Sequence, residues 1–124
     1  MAKRKTITGA SCCPPKPNLQ DRPLISDEQA EELMGVFKVL GNDTRLRLLH
    51  ALARAGKLSV TDLAKAVGMK PQAVSNQLRR LVDRGILGSQ RNGNHIHYRI
   101  VDSCVVALLD QGLCLAEDAR ARQS

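Results

Sequence analysis

Four cysteines are the side chains of this sequence best suited to chemistry. They form two groups, Cys12 with Cys13 near the start, and Cys104 with Cys114 near the end. Thiolates bind soft metal ions, mild oxidation joins two thiols into a disulfide, and a donor of sulfane sulfur can convert them into a polysulfide link. The sequence has neither a run of about 18 apolar residues nor a signal-peptide pattern. We therefore expect a cytoplasmic protein without membrane contact, in which the thiols stay reduced.

Cys104 and Cys114 fall on the last predicted helix, which ends at about Ala119. Ten residues of helix separate them by about 15 Å along the axis and about 80° around it, so one helix cannot place both sulfurs on one ion. If two such helices cross antiparallel near Leu109, Cys104 of one subunit lies beside Cys114 of the other. The helix is apolar around most of its circumference, which also favours a second subunit as its cover.

A simpler interpretation of each cysteine pair stays open. Free cysteine is among the most buried residue types, so Cys104 and Cys114 can also be small apolar core residues. Cys12 and Cys13 can be an inert pair, because adjacent side chains of an extended chain point to opposite sides. Both would bind one ion only if a local turn formed.

The middle of the chain has the pattern of a helix-turn-helix. Residues 59–85 read SVTDLAKAVGMKPQAVSNQLRRLVDRG, with apolar residues at helical spacing on either side of Gly68. Gly68 can adopt the positive φ of a turn, and Pro71 suits the first turn of the second helix, where an N–H has no helical partner. The second helix has one apolar stripe, beginning at Val74, and an opposite polar stripe.

The polar stripe carries side chains that suit the major groove of DNA. Glutamine and asparagine can pair bidentately with adenine, serine donates or accepts, and arginine binds guanine or phosphate. We therefore predict base contacts from Gln72, Ser75 and Asn76. Phosphate contacts fall mainly to four basic residues: Lys70, Arg79, Arg80 and Arg91.

Two short strands are predicted directly after the helix-turn-helix. Residues 86–100 read ILGSQRNGNHIHYRI, in which two β-prone runs flank Asn92-Gly93. A two-residue hairpin turn there requires positive φ at both positions, which asparagine and glycine tolerate. Such a hairpin is a wing. His95 and His97 share one face of its second strand, and we interpret them as a solvated or phosphate-facing pair rather than as metal ligands.

Composition and charge agree with one small domain that binds a polyanion. The 124 residues include 19 Lys+Arg against 12 Asp+Glu, a formal charge of +7, and only 2% are aromatic. A chain of this kind forms a modest core, which a dimer interface would enlarge. No nucleotide loop, acid/base pair or nucleophile with a histidine partner is evident, so we predict no enzymatic activity.

Three regions follow from these patterns. Residues 1–25 form a basic, proline-rich arm with its cysteine pair, residues 26–119 form the DNA-binding and dimerisation domain, and residues 120–124 form a tail. Ser26 and Asn42 are the expected caps of the first two helices. The predicted fold is mainly α with a small β-hairpin wing, about five helices and two strands, in a winged helix-turn-helix homodimer.

These motifs together resemble one bacterial family. The segments VFKVLGNDTRLRLLHAL, SVTDLAKAVGMKPQAVSNQLRRLVDRGIL and RNGNHIHYRI, followed by a C-terminal helix, are similar to the ArsR/SmtB family of metal-responsive repressors. The resemblance covers residues 27–118. It implies a homodimer that binds double-stranded operator DNA when metal-free and releases the DNA when a metal ion binds.

The resemblance breaks at the metal sites of its best-known members. Arsenic and cadmium sensors of the family carry C-V-C-D-L where this chain reads SVTDL, at residues 59–63. Zinc sensors of the family use two acidic and two histidine ligands on the last helix. Asp102 and Asp118 match the acidic ligands, whereas Cys104 and Leu115 replace the histidines. We therefore expect neither site to be complete.

A thiolate site is the alternative that the last helix offers. Cys104 and Cys114 from opposite subunits, with Cys12 or Cys13 as a third ligand, suit a soft thiophilic ion. The segment VDSCVVALLDQGLCLAED also resembles the family's mercury-responsive repressors. Hg(II) is therefore the expected inducer, followed by As(III), Cd(II) and Pb(II). The rival prediction is a redox or persulfide sensor on the same fold, in which the two thiols link across the dimer without metal.

Overall fold

A computed structural model describes residues 15–123 of the chain. This part contains five α-helices and a three-stranded antiparallel sheet, preceded by a short 3-10 turn at Leu19–Asp21 within the predicted arm. The elements in chain order are α1 (Asp27–Leu40), α2 (Asp43–Ala55), β1 (Leu58–Ser59), α3 (Val60–Val67), α4 (Pro71–Asp83), β2 (Leu87–Asn92), β3 (His95–Ile100) and α5 (Ser103–Gln123).

The first two helices begin at the caps that the sequence predicts. The Ser26 hydroxyl accepts from the Gln29 amide at 3.1 Å, and the Gln29 side chain accepts from the Ser26 amide at 2.9 Å, which completes a capping box. Asn42 caps α2 by accepting from the Arg45 amide at 3.0 Å. These reciprocal bonds satisfy backbone donors that the first helical turn leaves unpaired.

The helix-turn-helix is α3 and α4, as predicted. The Ser59 hydroxyl accepts from the Asp62 amide at 3.2 Å and caps α3. Gly68 ends that helix with φ 70° and ψ 38°, in the left-handed region, and Pro71 is the first residue of α4. Arg47 of α2 donates to the carbonyl of Val67 at 3.1 Å, which satisfies an unpaired acceptor at the end of α3.

The sheet has one strand more than the sequence predicts. The two residues of β1 pair antiparallel with β3, Leu58 opposite Tyr98 and Ser59 opposite His97, so the strand order is β1-β3-β2. The expectation of two strands is therefore wrong by one. A two-residue strand directly before a helix shows no alternation of apolar and polar residues, which is the signal that identifies longer strands.

The wing turn lies one residue later than predicted. Asn92 pairs with His95 in the β2–β3 register, so the two-residue loop is Gly93-Asn94. Gly93 has φ 63°, and no non-glycine residue from 15 to 123 has a positive φ. The prediction of a turn at Asn92-Gly93 with two positive φ values is wrong. A positive φ at the first central residue alone matches a type II′ turn.

The core lies between α2, α3, α4 and the base of the wing. Its fully buried side chains come from each of the three helices: Leu48, Leu49, Leu52, Leu63, Val74, Leu78 and Leu81. Helical spacing predicts Leu46, Leu49, Leu52 and Ala53 as the inward side chains of α2. Leu49 and Leu52 are buried, together with Leu48, whereas Leu46 and Ala53 are exposed, so the prediction is wrong at those two positions. The apolar stripe predicted for α4 is confirmed by the burial of its three core residues.

Helices α1 and α5 contribute little to this core. Leu40 is the buried residue of α1, and Val105 is the buried residue of α5. The helix α5 continues to Gln123, four residues beyond its expected end at Ala119 and through most of the predicted tail. No helix within the described residues is long and apolar enough to cross a membrane.

Candidate DNA-binding and metal-binding sites

The exposed face of α4 presents the side chains predicted to read DNA. Val74, Leu78 and Leu81 are buried in the core, so the opposite face of the helix points toward solvent. Gln72 and Asn76 lie one turn apart on the exposed face, where Gln72 Nε2 donates to Asn76 Oδ1 at 3.3 Å. The two amides are thus aligned with each other before any ligand arrives.

The other predicted DNA residues surround this amide pair. Ser75 is half-buried at the edge of the stripe, and Arg79 and Arg80 are exposed further along α4. Lys70 is the residue before α4 and is exposed, which places its ammonium group near the positive end of the helix dipole. Arg91 is exposed on β2, one residue before the end of the strand. The predicted DNA residues are therefore found at the start of α4, along α4 and on the wing.

Both cysteines of α5 are exposed, and neither forms a disulfide within residues 15–123. Neither Cys104 nor Cys114 lies in the core of the described chain. The Cys104 amide donates to Asp102 Oδ1 at 2.8 Å, so this carboxylate caps the start of α5. The Cys114 thiol donates to Asp118 Oδ2 at 3.8 Å, one turn further along the helix. Each cysteine therefore has a carboxylate close to it in the chain.

One copy of the chain does not assemble a metal site from residues 15–123. No group of three or more His, Cys, Asp or Glu side chains in this part could hold a metal ion. Cys104 and Cys114 lie ten positions apart on one helix, as the sequence predicts, and Cys12 and Cys13 lie outside the described residues. A thiolate site therefore needs ligands from a second copy, from the arm, or from both.

A shallow pocket of about 320 Å³ brings together residues that sequence reading treated separately. Its lining joins the start of α3 to β3: Ser59, Thr61, Asp62, His95 and His97. The two imidazole rings lie 6.5 Å apart, and His97 Nδ1 is buried without a hydrogen-bond partner. The pairing of Ser59 with His97 brings these residues together. The sequence analysis did not predict β1, and a prediction of β1 paired with β3 would have placed them side by side.

Known proteins match most of this chain. A model described as MarR family matches residues 42–95, from the cap of α2 to the start of β3. The HTH-type transcriptional regulator NmtR of Mycobacterium tuberculosis is 39% identical over 100 residues, which cover 81% of this chain and 82% of NmtR. A transcriptional repressor SmtB homolog of Synechocystis is 33% identical over 121 residues, covering 87% of this chain and 91% of the homolog. The chain belongs to the ArsR/SmtB family.

A solved structure of an ArsR/SmtB relative is closely similar in sequence and fold. The crystal structure of the AntR antimony-specific transcriptional repressor is 67% identical and superposes with a TM-score of 0.75. The match covers 88% of this chain and 98% of the AntR chain. The predicted winged helix-turn-helix fold is therefore confirmed.

Membership of the ArsR/SmtB family also decides the functional class. Its members are metal-responsive transcriptional repressors, so the prediction that this chain is not an enzyme is confirmed. The mercury preference expected from the sequence has no support among these relatives. The AntR relative is instead an antimony-specific repressor.

Proposed function

We propose that this chain is a homodimeric repressor that binds operator DNA when metal-free and leaves it when a thiophilic ion binds, with trivalent antimony as the foremost inducer. The observation that carries the proposal is the 67% identity with the antimony-specific repressor AntR. The two exposed thiols on α5 supply soft ligands of the kind that such an ion prefers. We propose that it acts in the cytoplasm, on the cell's own DNA.

The DNA side of the proposal rests on α4 and the wing. Gln72, Ser75 and Asn76 face outward where a recognition helix meets base edges in the major groove. We propose that four exposed basic side chains near them bind the phosphates beside that groove: Lys70, Arg79, Arg80 and Arg91. A formal charge of +7 adds a sequence-independent attraction for the duplex.

The dimer in this proposal covers apolar surface that one chain leaves exposed. Leu33, Met34 and Phe37 of α1 are 47%, 52% and 51% exposed, and Leu113 and Leu115 of α5 are 56% and 64% exposed. Side chains of α1, α2 and α5 also line a largely apolar groove of about 870 Å³. Contiguous apolar surface of this kind marks an interface, and the symmetric interface of a homodimer is the commonest in soluble proteins.

The metal side of the proposal pairs thiols across that interface. Antiparallel crossing of two α5 helices near Leu109 sets Cys104 of each subunit beside Cys114 of its partner, which gives two equivalent sites. A trivalent ion with a lone pair forms three bonds in a pyramid, so a third thiolate from Cys12 or Cys13 would complete each site. As(III) has the same bonding pattern. Cd(II), Pb(II) and Hg(II) are also thiophilic, and we rank them after As(III) as candidate inducers.

Release of DNA follows from a change in geometry. A dimer reads two half-sites about 34 Å apart only when its recognition helices have that separation. Metal binding that favours another arrangement of α5 would weaken operator binding by a coupling free energy of about 1–3 kcal/mol. The DNA-binding side chains themselves need not be blocked.

The test is an operator-binding titration against a panel of inducers. Fluorescence anisotropy of labelled upstream DNA is measured under anaerobic conditions with added Sb(III), As(III), Cd(II), Pb(II) or Hg(II). The proposal predicts specific binding without metal and release at the lowest concentration by Sb(III). Lack of specific DNA binding would contradict the repressor. Release by mild oxidation or polysulfide, with none by any metal, would support the redox or persulfide sensor instead, which the exposure of both thiols also permits.

A further inference from the structure

Arg45 connects the recognition helix to the end of α1. From its position on α2, Arg45 donates through Nη1 to the carbonyl of Val39 at 2.9 Å and through Nε to Gln77 Oε1 at 2.8 Å. The guanidinium is partly buried, and its two bonds run in different directions. Because Gln77 lies on α4, one side chain bridges α1 and the recognition helix.

A second arginine makes contact between the same two helices. Arg84, directly after α4, lays its guanidinium against Gly35 of α1: a Cβ on this glycine would lie 2.7 Å from Nη2 and 3.0 Å from Nη1. The first of these distances is shorter than real Cβ atoms show, so a larger residue at position 35 would have to displace the guanidinium. The atoms in the way are the far end of a flexible side chain, which an added methyl group can displace.

The two contacts are spaced to match both helices. Gly35 and Val39 are four residues apart on α1, and Gln77 and Arg84 are seven apart along α4 and its cap. Residues four and seven apart lie on one side of a helix. The recognition helix is thus held to one side of α1 at two points, two turns apart along its own axis.

The opposite side of α1 carries the exposed apolar residues. Leu33, Met34 and Phe37 are about half-exposed, whereas Gly35 and Val39 are partly buried toward the rest of the chain. In the proposed dimer α1 therefore lies between the partner subunit and the recognition helix. A change in the angle between α1 and α4 alters the separation of the two recognition helices.

We propose that the Val39–Arg45–Gln77 bridge and the Gly35–Arg84 contact set the orientation of the recognition helix in the dimer, and so its affinity for the operator. Arg45, Gln77 and Arg84 are then positioning residues that act without contacting bases. The inference rests on the proposed repressor function and names residues that this function needs. The bridge uses a charged donor and partly buried acceptors, whose loss is more damaging than that of an exposed neutral pair.

A matched pair of substitutions on α2 tests the bridge. Arg45→Gln removes the bridge, and Arg54→Gln makes the same change of charge at an exposed position of the same helix. We expect Arg45→Gln to weaken operator binding about tenfold or more, and Arg54→Gln to stay within about twofold of the wild type. Equal affinities of the two variants would overturn the bridge as a positioning element.

Gly35→Ala tests the second contact without harming the fold. Alanine favours helix over glycine, and displacing the end of Arg84 is cheap, so the melting temperature should stay the same or rise. Operator affinity should nevertheless fall severalfold, since the Arg84 guanidinium can no longer lie against α1 in this position. Unchanged affinity would overturn the role of this contact, and it decides that point even if Arg45→Gln fails to fold.

A readout without DNA separates this inference from the proposed function. Hydrogen exchange of the α4 amides is measured in the free full-length protein. The inference predicts faster exchange in Arg45→Gln and in Gln77→Leu, and wild-type exchange in Arg54→Gln and in Gln77→Glu, which keeps an acceptor for Arg45. If even the wild type binds no DNA, the repressor proposal fails, yet this exchange pattern still supports the Val39–Arg45–Gln77 bridge. Identical exchange in all four variants overturns it.

Discussion

Gln72 donates a hydrogen bond to Asn76 across one turn of α4, and both side chains are exposed. The bond favours one arrangement of the two amides on the face that is predicted to meet base edges. Preordered side chains lose less conformational entropy when they bind than free ones do. The pair is therefore suited to recognise adjacent bases as a unit.

Replacing Gln72 or Asn76 with alanine should lower operator affinity by about 1–3 kcal/mol and change the preferred base at the contacted positions. Arg91→Ala should weaken binding to all DNA sequences alike and reduce the slope of affinity against salt concentration. Binding selections on randomised operators, with affinities at several salt concentrations, distinguish the two classes. A Gln72→Ala variant that loses affinity uniformly would remove this residue from base recognition.

The wing turn provides a second prediction. Gly93 has φ 63°, a conformation that β-branched residues strongly disfavour, so Gly93→Val should strain the hairpin by about 1–3 kcal/mol. Asn94→Ala is the matched control, because Asn94 is the other loop residue and does not have a positive φ. We expect weaker operator binding for Gly93→Val and unchanged binding for Asn94→Ala. Circular dichroism of both variants verifies that the fold is intact. A wild-type footprint of Gly93→Val on the flanking DNA would exclude a DNA role for the wing.

The dimer interface is tested best at a residue that one chain leaves exposed. Leu113 is 56% exposed, so Leu113→Glu should cost little in the isolated chain. In the proposed dimer it buries a carboxylate among apolar side chains, which costs on the order of several kcal/mol. Sedimentation at about micromolar concentration should therefore show monomers. Ala107→Glu places the same charge on α5 outside the apolar groove and should stay dimeric. A dimeric Leu113→Glu would place the interface elsewhere.

Local sequence signals predicted the helical part of the fold well. Ser26, Asn42, Gly68 and Pro71 each act within one helical turn of their own position, so their effect can be read without knowledge of the rest of the chain. The recognition helix could be predicted for the same reason. Its buried apolar residues recur at regular helical spacing, and this spacing also identifies the polar residues on the opposite, exposed face.

Features that depend on pairing between distant segments were missed or misplaced. The strand β1 exists because Ser59 meets His97, 38 positions later, and the turn position follows from the β2–β3 register rather than from the Asn-Gly dipeptide. The contact of Arg84 with Gly35 likewise depends on how two helices approach each other. The proposed metal site was inferred from the spacing of Cys104 and Cys114 along α5, but it needs a second chain, so one folded copy does not assemble it.

In the proposed mechanism, Cys104 and Cys114 sense the metal from opposite subunits. The most direct measurement is operator release by Sb(III) for Cys104→Ser, for Cys114→Ser, and for a mixture of the two after subunit exchange. Each variant alone should bind DNA and ignore the metal. The mixture should regain a response, because about half of its dimers would be heterodimers that keep one complete pair. A mixture as unresponsive as its parents would contradict ligation across the interface. Wild-type responses of both single variants, with none from a Cys12→Ser/Cys13→Ser double variant, would assign sensing to the arm.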